Sequence, residues 1–199
     1  MNVSRISLVI CGLLLATSAW SGDSEKGLAA YNSTDYDTAL AIWQPLAESG
    51  DTDAQYGLGM MYGNGFGVDM DDALAIKWYG LAAEQGHSGA QCNLAVMHQN
   101  GWGVPLNEEE AIRLFKQAAE QGVTEAMVAL GRHFAMDFSE AYDPVQAYKW
   151  FSLAAMLDDI DANAKRETIE GRMTVEQVAD GNAQVEIWST DHRGLLAKP

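Results

Sequence analysis

Residues 63–68 read GNGFGV, and 36 positions later residues 99–104 read QNGWGV. A glycine loop of this kind either cradles a phosphate or makes the turn of a repeated fold, and its neighbours decide between the two. No Lys and Ser or Thr follow it, the preceding residues have helical rather than strand periodicity, and Asp69, Asp71 and Asp72 would repel a phosphate. Recurrence at a fixed spacing points to the turn of a repeat.

Three segments align without gaps at that spacing: Asp53–His87, Gly89–Val123 and Glu125–Asp159. Shared columns hold Ala54, Ala90 and Ala126, then Leu58, Leu94 and Leu130, then Ala75, Ala111 and Ala147, then Tyr79, Phe115 and Phe151. A shorter unit precedes them, with Ala39, Trp43, Ala47 and Gly50 on the columns of Ala75, Tyr79, Ala83 and Gly86. Within a unit, Ala54, Leu58, Met61 and Tyr62 mark one face of a helix, and Ala75, Trp78, Tyr79 and Ala82 mark a second. One such pair has too little core to fold alone, so neighbours must stack.

Punctuation agrees with this periodicity. Gly50, Gly86 and Gly122 stand just past the second helices, where a left-handed residue is wanted. Thr52, Ser88 and Thr124 are the expected N-caps of the first helices, with Gln55 and Gln91 completing capping boxes. Asn107, and Asp143 before Pro144, are expected to start second helices. The organisation is therefore a signal peptide over 1–21, a short helix pair over 24–50, repeats over 51–87 and 88–123, a divergent repeat over 124–160, and capping helices with a tail over 161–199. In the last segment Thr174 and Gln177 should cap a helix whose Val175, Val178, Val185 and Trp188 cover the end of the stack.

With those columns in view, the stretches AQYGLGMMYGNGFGVDMDDALAIKWYGLAAEQG and AQCNLAVMHQNGWGV…AIRLFKQAAEQG resemble the Sel-one-like repeat (SLR) family, relatives of tetratricopeptide repeats, over about residues 24–160. The resemblance implies an all-α, right-handed superhelical solenoid of antiparallel helix pairs that acts as a protein-binding scaffold, and it implies export for many bacterial members. Two features depart from the family pattern. The third repeat replaces the glycine loop by AMDFSEAYD (135–143), so its turn should differ in shape. A cysteine-rich branch staples each helix pair with a disulfide, which a chain retaining Cys92 alone cannot do.

Residues 1–22 carry Arg5 as their only charge and an apolar run from Ile6 to Ala16, the layout of a secretory signal cleaved after Ala19 or Ser21. The expected location is periplasmic or secreted, with no membrane insertion after cleavage. The formal charge is −16, and residues 22–160 hold 6 basic against 21 acidic side chains. A body so negative repels phosphate backbones and anionic headgroups, so nucleic acid and bare membrane are poor partners and neither is expected.

No residue set implies chemistry. GHSGA (86–90) approaches the nucleophile elbow of hydrolases, but a helix precedes it and Ser88 lies on the repeated cap column. His87, His98, His133 and His192 have no metal spacing, and Asp69, Asp71 and Asp72 lack the glycine and distal Glu of an EF-hand. No catalytic residue, cofactor or metal is expected. The expected site is a groove row on the first helices, formed by Tyr56, Met60, Cys92, Asn93, Val96, Gln99, Val128 and Arg132, that takes a peptide or helix of an envelope or extracellular protein. The competing expectation is that this row is packed core, in which case Tyr56→Ala unfolds the chain. The expected function is a monomeric, exported, non-catalytic scaffold or adaptor. The alternative is an envelope regulator, or a cell-wall or β-lactam-type ligand binder with weak hydrolase activity.

Overall fold

The computed structural model describes residues 22–137 and 140–196, so the signal segment and its cleavage positions lie outside the described residues. All regular structure among the described residues is α-helical. The chain forms two compact units, the first ending at Ala118 and the second beginning at Ala119.

The first unit holds α1 (Gly22–Asn32), α2 (Tyr36–Glu48), α3 (Thr52–Asn64), α4 (Asp72–Glu84), α5 (Ser88–Asn100) and α6 (Glu108–Ala119), which runs to the boundary. Helices α1 and α2 pack as a pair, as do α3 and α4, and α2 meets α3 while α4 meets α5. Small residues against large aromatics produce this close packing. Trp43 is wholly buried, and its indole N–H donates to the carbonyl of Ser24 at 3.1 Å. A Cβ on Gly27 would fall 2.3 Å from that indole, one on Gly57 would fall 2.6 Å from it, and one on Gly59 would fall 2.4 Å from the buried ring of Tyr79. The rings occupy the space that side chains on these glycines would need.

The junctions between repeats close as Schellman turns. Gly50 and Gly86 take φ of 99° and 90°, and their N–H groups donate to Ala47 and Ala83. The next N–H groups, from Asp51 and His87, reach back to Leu46 and Ala82. This geometry corrects the expected caps. Asp51 and His87, already extended, accept the N–H groups of Ala54 and Ala90, so Thr52 and Ser88 are the first helical residues. Val123 holds the same place before Thr124 and makes no side-chain cap. Gln55 and Gln91 form no capping box either; they are buried and donate to the carbonyls of Ala47 and Ala83, fastening each first helix to the end of the preceding second helix. Asn107 and Asp143 do cap their helices as expected.

The two glycine loops are turns. Gly65 and Gly101 end α3 and α5 in the left-handed conformation, and Gly67 and Gly103 adopt φ of 71° and 68°. A Cβ on Gly67 would meet Cβ of Tyr36 at 2.5 Å, and one on Gly103 would meet Cβ of Asp72 at 2.6 Å. Each loop thus rests on the first turn of the preceding second helix, and Phe66 stacks on Tyr36 with centroids 5.2 Å apart. Gly103→Ala is expected to destabilise the chain by roughly 2 kcal/mol or more through left-handed strain and this contact. Gly80→Ala, at a helical position with nothing within 4 Å of a new Cβ, should instead stabilise it by about 0.5–1 kcal/mol. Urea unfolding of the two variants checks the pair, and equal shifts would refute the assignment of the loop.

The second unit holds α7 (Thr124–Phe134), α8 (Pro144–Met156), α9 (Ile160–Glu170), α10 (Val175–Asp191) and the short α11 (Arg193–Leu196). Helix α8 is central, packing against α7, α9 and α10. A core of Ala147, Tyr148, Phe151 and Ile169 is covered in part by Val128, Phe134, Met173 and Val178. The divergent turn lacks left-handed glycines among its described residues, yet its closing bond, from Asp143 N–H to Phe134 O at 2.9 Å, repeats those from Asp71 to Tyr62 and from Asn107 to His98. Asp137 on this turn pairs with Arg172 at 2.6 Å, tying it to the α9–α10 connection.

Thr174 and Gln177 form the expected capping box. Helix α10 seats Gly181 against Tyr148, whose hydroxyl donates to Asn182 at 3.0 Å, and buries Trp188, whose N–H donates to Glu120 at 2.8 Å. Val175 does not join this cover: it is 82% exposed, because the first residue of α10 projects away from α8.

Candidate interaction surface

The expected groove row divides when the helices pack. Tyr56, Met60, Cys92 and Asn93 are buried, Val96 and Val128 are half-buried, and only Gln99 and Arg132 are exposed. The reason is tertiary: α3 touches α1, α2, α4 and α5, so the face away from α4 is not open. Four of the eight residues are therefore core, and Tyr56→Ala becomes a test of stability rather than of binding. Asn93, expected as a polar anchor, instead lies beside the buried phenol of Tyr79, short of hydrogen-bond geometry. Burial, the larger influence, pushes that phenol well above its ordinary pKa. Cys92 is wholly buried in α5.

Tyr56 stacks on His87 with centroids 4.2 Å apart. Nδ1 of His87 accepts the Ala90 N–H at 3.1 Å, so the ring must be neutral at that nitrogen. Burial lowers its pKa from 6.5 to about 4, even with the Asp53 carboxylate 3.7 Å from Nε2. A base so weakened, already committed to a cap, does not activate the adjacent Ser88, which opens α5 after a helix and a turn.

This histidine carries a pH signature. The unfolded chain takes up the proton first as pH falls, so the contribution is present above pH 6.5 and lost as pH falls towards 4. The loss is roughly 3 kcal/mol at about 1.4 kcal/mol per pKa unit. His87→Asn keeps a capping oxygen and does not titrate. Its stability difference between neutral buffer and about pH 4, measured by urea unfolding, is expected to be smaller than wild type by about that amount. Equal acid slopes would assign the effect to other groups.

Among the described residues no three His, Cys, Asp or Glu side chains gather as a metal site, and no helix is long and apolar enough to cross a membrane.

One arrangement does recur on the surface. In the first unit Met70 is 51% exposed and Leu106 is 68% exposed; in the second unit Tyr142 is 38% exposed. Each stands one residue before the cap of a second helix, at Asp71, Asn107 and Asp143. Helix-closing bonds from those cap residues fix the loops, so Met70 and Leu106 are held outward on ordered backbone. Carboxylates flank them along the chain: Asp69, Asp71 and Asp72 beside Met70, and Glu108, Glu109 and Glu110 after Leu106. Glu110 is held below the usual carboxylate range by its hydrogen bond from Arg113. Residues 22–118 carry 4 basic and 14 acidic side chains in all. Helix periodicity does not reach these positions; their signal in the sequence is a large apolar residue before the cap at the repeat spacing.

These features define an all-α protein built from repeated helix pairs. A family model for the Sel1 repeat matches residues 52–87, 88–123 and 124–159, more than half of the chain. The chain belongs to the Sel1 repeat family, whose members are generally protein-interaction scaffolds and typically not catalysts. It is similar to the crystal structure of a Sel1 repeat protein from Oxalobacter formigenes at 29% identity and a TM-score of 0.67, covering 72% of this chain and 59% of that one. It is also similar to a protective antigen of uropathogenic Escherichia coli strains that displays an SLR fold. There the identity is 26% and the TM-score 0.54, over 81% of this chain and 42% of that one. This chain thus spans about three-fifths of the first relative and two-fifths of the second. No curated protein sequence matches it.

Proposed function

We propose that this chain is an exported, monomeric scaffold that holds an envelope or extracellular protein and does no chemistry of its own. The observation that carries the reading is the exposed apolar residue kept before successive second helices, Met70 and Leu106 in the first unit and Tyr142 in the second. Their recurrence at one position of the repeat sets them apart from the singly scattered apolar residues that any protein surface carries. Support for export comes from the signal-like layout of residues 1–21, and the E. coli relative, a protective antigen, agrees with it.

The test places a photo-crosslinking amino acid at Leu106, and at the exposed Glu84 as a control, in the full chain expressed in its native host. The expected result is a discrete protein adduct from position 106 that is absent from position 84. Identical patterns from both positions, or no protein adduct together with saturable glycan or β-lactam binding, would overturn the proposal.

A further inference from the structure

We infer that the surface around Met70 and Leu106 takes a cationic amphipathic segment of a partner protein, one that sets apolar side chains on this pair and Lys or Arg side chains on the carboxylates beside them. The inference rests on the scaffold reading and adds the chemistry of the partner. Its first ground is charge. The unit from residue 22 to 118 has 14 acidic and 4 basic side chains, and Asp69 and Glu109 are exposed within one and three residues of the two apolar positions. An acidic or neutral segment docking there would bring like charges together or strip carboxylates of water without replacement, whereas a cationic one is steered in and paired.

The second ground is the exposure of the apolar pair itself. Charge alone would attract any polycation, but Met70 at 51% and Leu106 at 68% exposed offer apolar area that a segment lacking large side chains leaves wet. Thr34, in the corresponding position before the cap Asp35 of α2, is polar, so in the first unit the apolar pair belongs to the two repeats with glycine loops. Loops already closed by backbone bonds lose little freedom on binding, which favours a short segment with few anchors.

The experiment titrates the full chain into a fluorescent Lys/Leu amphipathic helical peptide and reads anisotropy, with Glu/Leu and Lys/Ser peptides of equal length beside it. Only the Lys/Leu peptide is expected to bind well, with affinity falling as salt rises. Leu106→Ser should weaken it roughly tenfold, and Asp69→Asn with Glu109→Gln should weaken it and flatten the salt dependence. Each altered residue is exposed, and circular dichroism confirms that the variants fold. Equal binding of the Glu/Leu or Lys/Ser peptide, indifference to Leu106→Ser, or no binding of the Lys/Leu peptide would each overturn the inference. The scaffold reading is judged separately by the adduct at position 106, whatever the charge of the protein found there.

Discussion

Trp43→Ala is expected to destabilise the chain by about 3–5 kcal/mol, the range for emptying a large aromatic site in a packed core. Trp43 is wholly buried, and two glycines from flanking helices, Gly27 on α1 and Gly57 on α3, lie directly against its ring. Neither has a side chain with which to fill the space. The indole N–H also satisfies the Ser24 carbonyl, which would lose that partner. Trp43→Phe should cost less, roughly 1–2 kcal/mol, because the corresponding columns of later repeats already hold Phe115 and Phe151. Urea unfolding followed by circular dichroism measures both. A Trp43→Ala variant within about 1 kcal/mol of wild type would show that α1 and α2 are not packed through this ring.

Gly59→Val should be damaging although helix propensity alone favours replacing a mid-helix glycine by up to about 1 kcal/mol. The new Cβ would lie 2.4 Å from the ring of Tyr79, which is fully buried and has nowhere to swing. Valine adds two further methyl groups to that clash. The expected loss is roughly 3 kcal/mol, at the upper end of overpacking costs. Tyr79→Leu in the same chain should restore part of it, since removing ring volume relieves the contact. That recovery is a coupling energy, read from a double-mutant cycle. Additive losses would mean that residues 59 and 79 do not share the space.

The contrast between these residues and the groove row shows how far the sequence could be read. Columns repeating at 36 residues named the helix pairs, the buried Ala54, Leu58, Tyr79 and Ala82, and the left-handed Gly50 and Gly86. Such features are local or periodic, and one chain displays them. The first-helix caps were displaced by one residue because Thr52 follows Asp51 and Ser88 follows His87, so adjacent residues were both able to cap. Only the backward bonds of Asp51 and His87 to the preceding helix reveal which of them has left the helix.

Tyr56, Met60, Cys92 and Asn93 were ambiguous for another reason. A helical wheel assigns one inward face, but α3 has four helical neighbours and is buried nearly all round. Its glycines at 57 and 59 were the available hint, since a helix carrying them on opposite sides is approached closely from both. Val175 failed in the opposite sense, as an apolar residue at the helix start that nothing covers.

Tyr56, Met60, Cys92 and Asn93 on the first helices are core, while Met70, Leu106 and Tyr142 before the second-helix caps face solvent. Methionines sample both places. Peroxide oxidation of the folded chain, read peptide by peptide in a mass spectrometer, should convert Met70, Met136 and Met156 to the sulfoxide, since they are 51%, 48% and 45% exposed. Met60, Met61, Met97 and Met127 should stay protected until the chain is unfolded. Oxidation of Met60 as fast as Met70 in the native state would contradict the account, because the inner row would then be an open groove.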